Sequence, residues 1–208
     1  MKDQRAIPTI AALLAGLLAS TLLFAIEEPA YRLDHQDEPF ELRDYEAQIV
    51  AETVVEGPLE DASNRAFRIL FRYIDGANTN RDKIEMTAPV TQTERSQKIA
   101  MTAPVGQQAA PGGGWAVTFA IPAEYTMDTV PLPTDQRVSI REIPAYRAAV
   151  VRYSGTWSEK NYRKHLAELE AWMARQKLEA AGGPVWARYN APFTPWFLRR
   201  NEILIPLR

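Results

Sequence analysis

Alternation of apolar and polar side chains dominates the chain after residue 40 and predicts short β-strands. Two longer segments, residues 59–74 and about 158–180, instead repeat their apolar positions with the period of a helix. Asp75-Gly76 ends the first segment, Ser158 can cap the second, and Gly182-Gly183-Pro184 follows the second. The predicted strands are residues 40–45, 49–55, 84–90, 115–121, 138–143, 145–153, 185–189 and 202–207.

The order of these elements repeats, since each half reads strand, strand, helix, strand, strand. A shift of 98 residues pairs Gly57 with Gly155 and Arg65 with Arg163 without a gap. We therefore expect an α+β fold: a distorted, eight-stranded, mostly antiparallel β-barrel of two duplicated ββαββ halves, with two helices packed outside.

The N-terminus has a different pattern. Lys2 and Arg5 precede an apolar run of about 17 residues, 10–26, which ends at Glu27. This arrangement is typical of a signal peptide or an N-terminal membrane anchor, and it makes the membrane a partner of residues 1–26. The leading positive charge predicts an exported domain, either periplasmic or anchored to the inner membrane outside the cytoplasm. The polar residues 27–39 are interpreted as an irregular tether to a domain at 40–208.

Composition removes several kinds of chemistry. The chain has no cysteine and two histidines, which excludes disulfides, thiolate nucleophiles and cysteine zinc sites and disfavours a multi-histidine metal site. Lys and Arg number 24 against 26 Asp and Glu, without a basic stripe, so no nucleic-acid partner is expected.

The sequence contains no motif that is typical of a catalytic site, and enzymatic activity is not indicated. A carboxylate and a tyrosine inside the barrel, Glu202 and Tyr189, could nevertheless perform general acid–base chemistry in a small-molecule-binding or hydrolytic barrel. The preferred interpretation is structural: Asn201-Glu202 holds the final strand to the loop at Arg199-Arg200 by hydrogen bonds and ion pairs.

One octapeptide occurs twice. KIEMTAPV at 83–90 returns as KIAMTAPV at 98–105, with seven of eight positions identical. Proline forces an extended backbone on the residue before it, and methionine fills irregular apolar gaps. Met86 and Met101 are therefore expected in the core or in a wall of the fold, and both are weak candidates as iron ligands.

These motifs carry a family resemblance. K-I-x-M-T-A-P-V, then W-x-V-x-F-x-I-P-x-E-Y-T at 115–126, then Y-N-A-P at 189–192 and R-R-N-E at 199–202 resemble the SOUL heme-binding family. The resemblance makes 40–208 a SOUL-type domain of a bacterial, membrane-targeted member. It implies a barrel of duplicated halves related to small-molecule effector-binding domains. It also implies non-catalytic binding of heme or a related tetrapyrrole, as a carrier, buffer or sensor.

The first predicted helix has an unusually wide apolar face. Its stripe is extended by Phe67 and Phe71, so that the apolar arc covers about 200° rather than somewhat over 100°. A helix on a sheet buries one face only, which leaves these two rings at a rim where a ligand groove can form. Alternatively, the loop after Trp196 or the tether covers the rings, or they dock a protein partner.

The resemblance supplies further candidates. Family members place large apolar side chains at the positions of Phe67 and Phe71, and a basic side chain near Arg72 meets a heme propionate. Residues 193–196 are expected to form the opposite lip of the groove. The candidate ligand-binding residues are Asn64, Phe67, Phe71, Arg72, Phe193, Thr194 and Trp196.

Two departures concern the charges and the iron. Thr194 stands where the family groove has a basic residue, and Asp44 stands at the position of a histidine proposed as axial ligand. Carboxylate is a poor ligand for heme iron, so no metal site is predicted. His165 and His35 are weak candidates. The first is expected to be packed or hydrogen-bonded on the second helix, and the second solvated in the tether.

Overall fold

The computed structural model describes residues 27–79 and 96–208, which form an α+β domain. Its elements are β1 (Tyr31–Asp37), β2 (Phe40–Tyr45), β3 (Gln48–Val55), α1 (Leu59–Ile74), β4 (Asn78–Thr79), β5 (Val105–Ala109), β6 (Trp115–Ala120), β7 (Leu132–Pro133), β8 (Ser139–Ile143), β9 (Tyr146–Tyr153), α2 (Glu159–Gln176), β10 (Val185–Arg188) and β11 (Asn201–Pro206). The predicted helices and most of the predicted strands are present. The strand predicted at 84–90 lies outside the described residues.

The strands form a curled antiparallel sheet in the order β1-β2-β9-β11-β10-β5-β6-β3-β8, while β4 and β7 pair separately. The predicted α+β class, with a curled antiparallel sheet and two helices, is confirmed. The predicted count of eight strands is not confirmed, since the sheet already has nine strands within residues 27–79 and 96–208. When β1 is set aside, the strand order is symmetrical about its centre. Read inward from the two edges of the sheet, β2, β9, β11 and β10 correspond to β8, β3, β6 and β5, which are the equivalent strands of the other half of the chain.

The ninth strand lies in the segment predicted to be an irregular tether. Tyr31–Asp37 runs along β2, from the pair Tyr31 and Tyr45 to the pair Asp37 and Phe40. All seven residues of β1 are exposed. An edge strand is held by backbone hydrogen bonds and needs no apolar alternation, so the hydropathy pattern carries no sign of it.

Both helices pack against the outer face of the sheet. Residues of α1 such as Leu70 meet Val117 and Phe119, and residues of α2 such as Trp172 meet Ile203. Alternate positions of β9 and β11 point the other way and line the concave face, as a pleated strand requires. None of the helices within the described residues is long and apolar enough to cross a membrane.

The ends of α2 test the local predictions. Ser158 caps the helix as predicted, because its Oγ accepts a hydrogen bond of 3.3 Å from the backbone N–H of Asn161. The helix ends at Gln176 rather than near residue 180, since Lys177 takes a left-handed conformation with φ of 57°. Gly182-Gly183-Pro184 therefore lies in the connection to β10 and does not end the helix.

Candidate functional site

Two aromatic side chains lie side by side on α1. Phe67 is half-buried and meets Phe119 of β6 edge-on, with ring centroids 5.3 Å apart. Phe71, one turn later, stacks on Phe67 at 5.9 Å and remains 38% exposed. Phe67 thus anchors the pair to the core while Phe71 presents an apolar ring to solvent.

A cleft of about 640 Å³ opens beside Phe67, and we call it the α1 cleft. One wall is the first three turns of α1. The opposite wall comes from Val105, from Trp157 before α2 and from the segment after β10. The lining residues are Asp61, Ser63, Asn64, Arg65, Phe67, Arg68, Val105, Trp157, Arg188, Asn190 and Pro192. The cleft combines an apolar surface with several polar and charged side chains, as ligand sites commonly do.

Three arginines, Arg65, Arg68 and Arg188, give the α1 cleft positive charge. Arg188 is buried and donates a hydrogen bond of 2.6 Å to Oγ of Ser63, which ties β10 to α1. Its guanidinium also lies 4.0 Å from the ring centroid of Trp186 and 5.1 Å from that of Trp157. Arg68 is exposed at the rim. Arg188 is therefore a preorganised charge within the cleft, and Arg68 is an exposed charge at its mouth.

The structure brings together only part of the predicted ligand set. Asn64 and Phe67 line the α1 cleft, and Phe71 adjoins Phe67. Arg72 lies instead in a neighbouring basic groove of about 730 Å³, which is also lined by Arg65, Arg68 and Arg137. Arg65 and Arg68 line both cavities.

The predicted opposite lip is displaced from the cleft. Pro192 lines the α1 cleft, but Phe193 and Trp196 do not, and they are 89% and 58% exposed. The backbone oxygen of Thr194 accepts a hydrogen bond of 2.8 Å from Nε of Arg199, which fixes the loop.

Of the lining residues, sequence analysis named only Asn64 and Phe67 as ligand-binding candidates. Among those that it missed, Arg68, Arg188 and Trp157 supply charge and an aromatic ring. Arg68 follows Phe67 and lies one helical turn after Asn64, so the helical period could have indicated it. Arg188 and Trp157 come from distant segments and carried no local signal.

The histidines lie elsewhere. Nδ1 of His165 is 2.7 Å from a carboxylate oxygen of Glu168, and its ring stacks on Tyr153 with centroids 4.1 Å apart. His35 is exposed on β1. Among the described residues, no histidine lines the α1 cleft, and no group of three or more His, Cys, Asp or Glu could hold a metal ion.

The second copy of the octapeptide is anchored by residues other than its methionine. Ile99 is buried, and Oγ1 of Thr102 donates a hydrogen bond of 2.5 Å to the backbone oxygen of Ala120. Met101 is 44% exposed, so its predicted place in the core or a wall is wrong. An extended chain that buries Thr102 turns its neighbour to the other side. Met86 lies outside the described residues.

Glu202 lies at the centre of a buried ion cluster. Its carboxylate accepts hydrogen bonds of 2.7 and 3.1 Å from Arg43, 2.8 Å from the hydroxyl of Tyr189 and 2.9 Å from Arg200. Burial alone raises the pKa of Glu202, but the hydrogen bonds and charges of Arg43 and Arg200 outweigh it, so this pKa lies below its ordinary value.

This arrangement does not suit acid–base catalysis. Burial and the neighbouring charge of Glu202 raise the pKa of Tyr189 above its ordinary value, while the pKa of Glu202 is lowered. A general acid or base works best with a pKa near the operating pH, and both groups are shifted away from it. The contact between Glu202 and Arg200 agrees with the structural interpretation of the Arg199–Glu202 segment.

A second cleft, of about 280 Å³, lies on the concave face of the sheet above this cluster. Its walls include Tyr45 and Tyr146, which stack with centroids 5.0 Å apart, and Tyr189. We call it the concave cleft.

Comparisons with known proteins agree on family and fold. The family model described as SOUL heme-binding protein matches residues 26–206. "Heme-binding protein 1" of Xenopus tropicalis is 26% identical over 193 residues, which cover 90% of this chain and 96% of that protein. The C-terminal domain of EcmrR superposes with a TM-score of 0.58 at 12% identity, covering 86% of this chain and 98% of that one. A hydrolase from Listeria innocua gives 0.53 at 12% identity, covering 81% and 91%. These two likenesses show the fold alone.

Proposed function

The chain belongs to the SOUL heme-binding protein family, and we propose that it binds heme or a related tetrapyrrole in the α1 cleft without catalysing a reaction. The observation that carries the placement is the Phe67–Phe71 stack, which presents an apolar ring to solvent beside the arginines of the cleft. A carrier, a buffer or a sensor would each require such a reversible surface site.

The chemistry of the α1 cleft fits a tetrapyrrole. Such a ligand has a flat apolar macrocycle and carboxylate side chains. Phe67 and Phe71 offer aromatic rings on which a macrocycle can stack. The guanidinium groups of Arg68 and Arg188 can pair with carboxylates, an interaction that is stronger than a neutral hydrogen bond.

The cleft offers little to the iron. Among the described residues that line it there is no His, Cys, Met or Tyr side chain, the types that hold heme iron in proteins. Binding therefore depends on apolar contact and on the pairing of arginines with carboxylates.

We test this proposal by titrating heme into residues 27–208 and following the Soret absorbance. The wild-type domain should bind saturably at micromolar or lower concentrations. Phe67→Ala/Phe71→Ala should weaken binding about tenfold or more, since covering one aromatic side chain contributes about 1.5–3 kcal/mol and 1.4 kcal/mol is tenfold in affinity.

The matched control is Phe197→Ala/Leu198→Ala, which removes two exposed apolar side chains that do not line the α1 cleft. It should bind heme as the wild type does. Equal binding by all three proteins would mean that heme adheres to apolar surface in general. If heme does not bind, but replacing the two rings still changes another activity of the protein, the surface docks a protein partner instead.

The same titration decides which arginine meets the ligand. The family resemblance points to Arg72, whereas the structure places Arg68 in the cleft with Asn64 and Phe67. Arg68→Ala should weaken heme binding about two- to fivefold, and more at low salt, because an exposed pair is worth up to about 1 kcal/mol and is screened by ions. Arg72→Ala should have the smaller effect. The reverse order would move the site toward the basic groove.

A second candidate function is supported by the concave cleft. Its three tyrosines and its volume of about 280 Å³ suit a small aromatic or apolar molecule. The hydrogen bonds that surround Glu202 argue for binding there and against hydrolysis. Such a ligand should bind equally to the wild type and to the Phe67→Ala/Phe71→Ala variant.

We also propose that residues 1–26 serve as a signal peptide or an anchor for an exported domain, on the strength of the basic, apolar and acidic order of that segment. The common origin of the two halves is a further proposal. Its support is the symmetrical strand order and the 98-residue shift.

A further inference from the structure

An exposed apolar loop precedes β11. Within residues 193–198, which we call the aromatic loop, Phe193 is 89% exposed, Trp196 58%, Phe197 58% and Leu198 65%. So much apolar surface on a short stretch marks a contact site for something other than water.

The backbone of the aromatic loop is held in place, so these side chains do not collapse onto the domain. Arg199 donates hydrogen bonds of 2.8 Å to the backbone oxygens of Pro192 and Thr194. The backbone N–H of Gly155 donates one of 3.0 Å to the oxygen of Trp196. The guanidinium of Arg199 also lies 4.1 Å from the ring centroid of Trp157. The aromatic loop therefore projects from the domain in a fixed conformation, with its aromatic side chains exposed to solvent.

The N-terminal apolar segment joins the domain next to this loop. Nη1 of Arg200, two residues after Leu198, donates to both carboxylate oxygens of Glu28, at 2.9 and 3.0 Å. Glu27 is held as well, because its backbone oxygen accepts from Ala103 at 2.9 Å and its carboxylate from Ala123 at 2.7 Å. The apolar run of residues 10–26 thus meets the folded domain without an intervening linker.

We infer that the aromatic loop inserts into the interfacial layer of a lipid bilayer, as a second point of attachment beside the N-terminal segment. The inference depends on the proposal that residues 10–26 lie in the membrane, and not on heme binding. An apolar segment that ends at residue 26 would hold the surface around Glu28, and the aromatic loop with it, against the bilayer. Trp and Phe side chains favour the boundary between headgroups and acyl chains.

One other feature agrees with this orientation. Met101 is 44% exposed and precedes Thr102, which forms a β-bridge with Glu27, so another apolar side chain lies beside the point of attachment. Pro192 precedes the aromatic loop and lines the α1 cleft. Insertion of the loop would therefore bring that cleft close to the lipid.

The absence of cysteine allows a direct test with the full chain. A single cysteine is introduced by Phe197→Cys, labelled with an environment-sensitive fluorophore, and the protein is reconstituted into vesicles of phosphatidylcholine and phosphatidylglycerol. The matched control is Val54→Cys. Val54 is 55% exposed and lies about 17 Å along β3 from Ile49, which lines the same pocket as Glu27.

The label at position 197 should show a blue-shifted emission and lose most of it to a quencher attached to the lipid acyl chains, while the label at position 54 should do neither. Water-like emission at both positions would overturn the inference. So would a blue shift at 197 that the lipid quencher leaves unchanged, because a second copy or another protein would then cover the loop. Failure of the chain to float with the vesicles would also overturn it. None of these outcomes depends on the Soret titration.

Discussion

Replacing Glu202 by glutamine should lower the free energy of unfolding by about 3–5 kcal/mol, the usual effect of removing one partner from a buried ion pair. Glu202 and Arg43 are both buried, and the guanidinium of Arg43 donates two hydrogen bonds to the carboxylate. Glutamine keeps the shape of the side chain but removes the buried negative charge from Arg43, which then keeps only the half-buried carboxylate of Glu41 at 2.6 Å. Urea denaturation at neutral pH measures the difference.

The matched control is Asp135→Asn, which removes the acidic partner of Arg137 at the surface. The hydrogen bonds from Arg137 lower the pKa of Asp135 to about 2, so this carboxylate is also stabilised by an arginine. Because solvent screens the pair, the loss should be only about 0–1 kcal/mol. Equal losses in the two variants would contradict the argument that burial makes the Glu202 cluster important.

The wild type and Glu202→Gln also test how the free energy of unfolding depends on pH. The pKa of Glu202 in the folded protein lies below its ordinary value of 4.5. As the pH falls, Glu202 is therefore protonated first in the unfolded chain. The stability that the carboxylate contributes is present above pH 4.5 and is lost as the pH falls through the pKa of Glu202 in the folded protein. The difference in unfolding free energy between the wild type and Glu202→Gln should be largest at neutral pH and shrink in acid. A constant difference would mean that the charge of Glu202 does not stabilise the fold.

The elements that sequence analysis identified are those whose side chains alternate or repeat against a core. The helix at 59–74 agrees with α1, because its apolar positions face the sheet. The sequence VGQQA of β5 has no such alternation, and its strand is defined by pairing with β6 and β10 on either side. Backbone pairing of this kind depends on distant segments and leaves no local pattern, which also explains why β1 was missed.

Part of the candidate site could likewise be predicted from the sequence. An apolar arc too wide for one buried face identified Phe67 and Phe71 from the sequence. The choice between Arg68 and Arg72 required the rotation of α1 on the sheet, since successive turns of a helix shift the side chains around its axis. Arg188 could not be found, because its place in the α1 cleft follows from the pairing of β10 with β5.

Replacing Trp172 by alanine should lower the free energy of unfolding by about 3–5 kcal/mol, the range for deleting a buried aromatic side chain. Trp172 is 1% exposed between α2 and the sheet, and its ring stacks on Phe40 with centroids 5.2 Å apart. Its Nε1 donates a hydrogen bond of 2.8 Å to Asp37 at the end of β1. The variant should therefore leave a cavity under α2 and loosen β1, which urea denaturation and amide exchange of β1 measure.

Trp172→Phe separates the two contributions of this side chain. Phenylalanine retains most of the apolar contact with Phe40 but cannot donate to Asp37, so the loss should be about 1–2 kcal/mol. If packing holds α2 to the sheet, Trp172→Phe must be clearly more stable than Trp172→Ala, while amide exchange in β1 rises in both. An equal loss of stability in the two variants would instead assign the effect to the hydrogen bond. The edge strand β1 would then be the element through which Trp172 stabilises the domain.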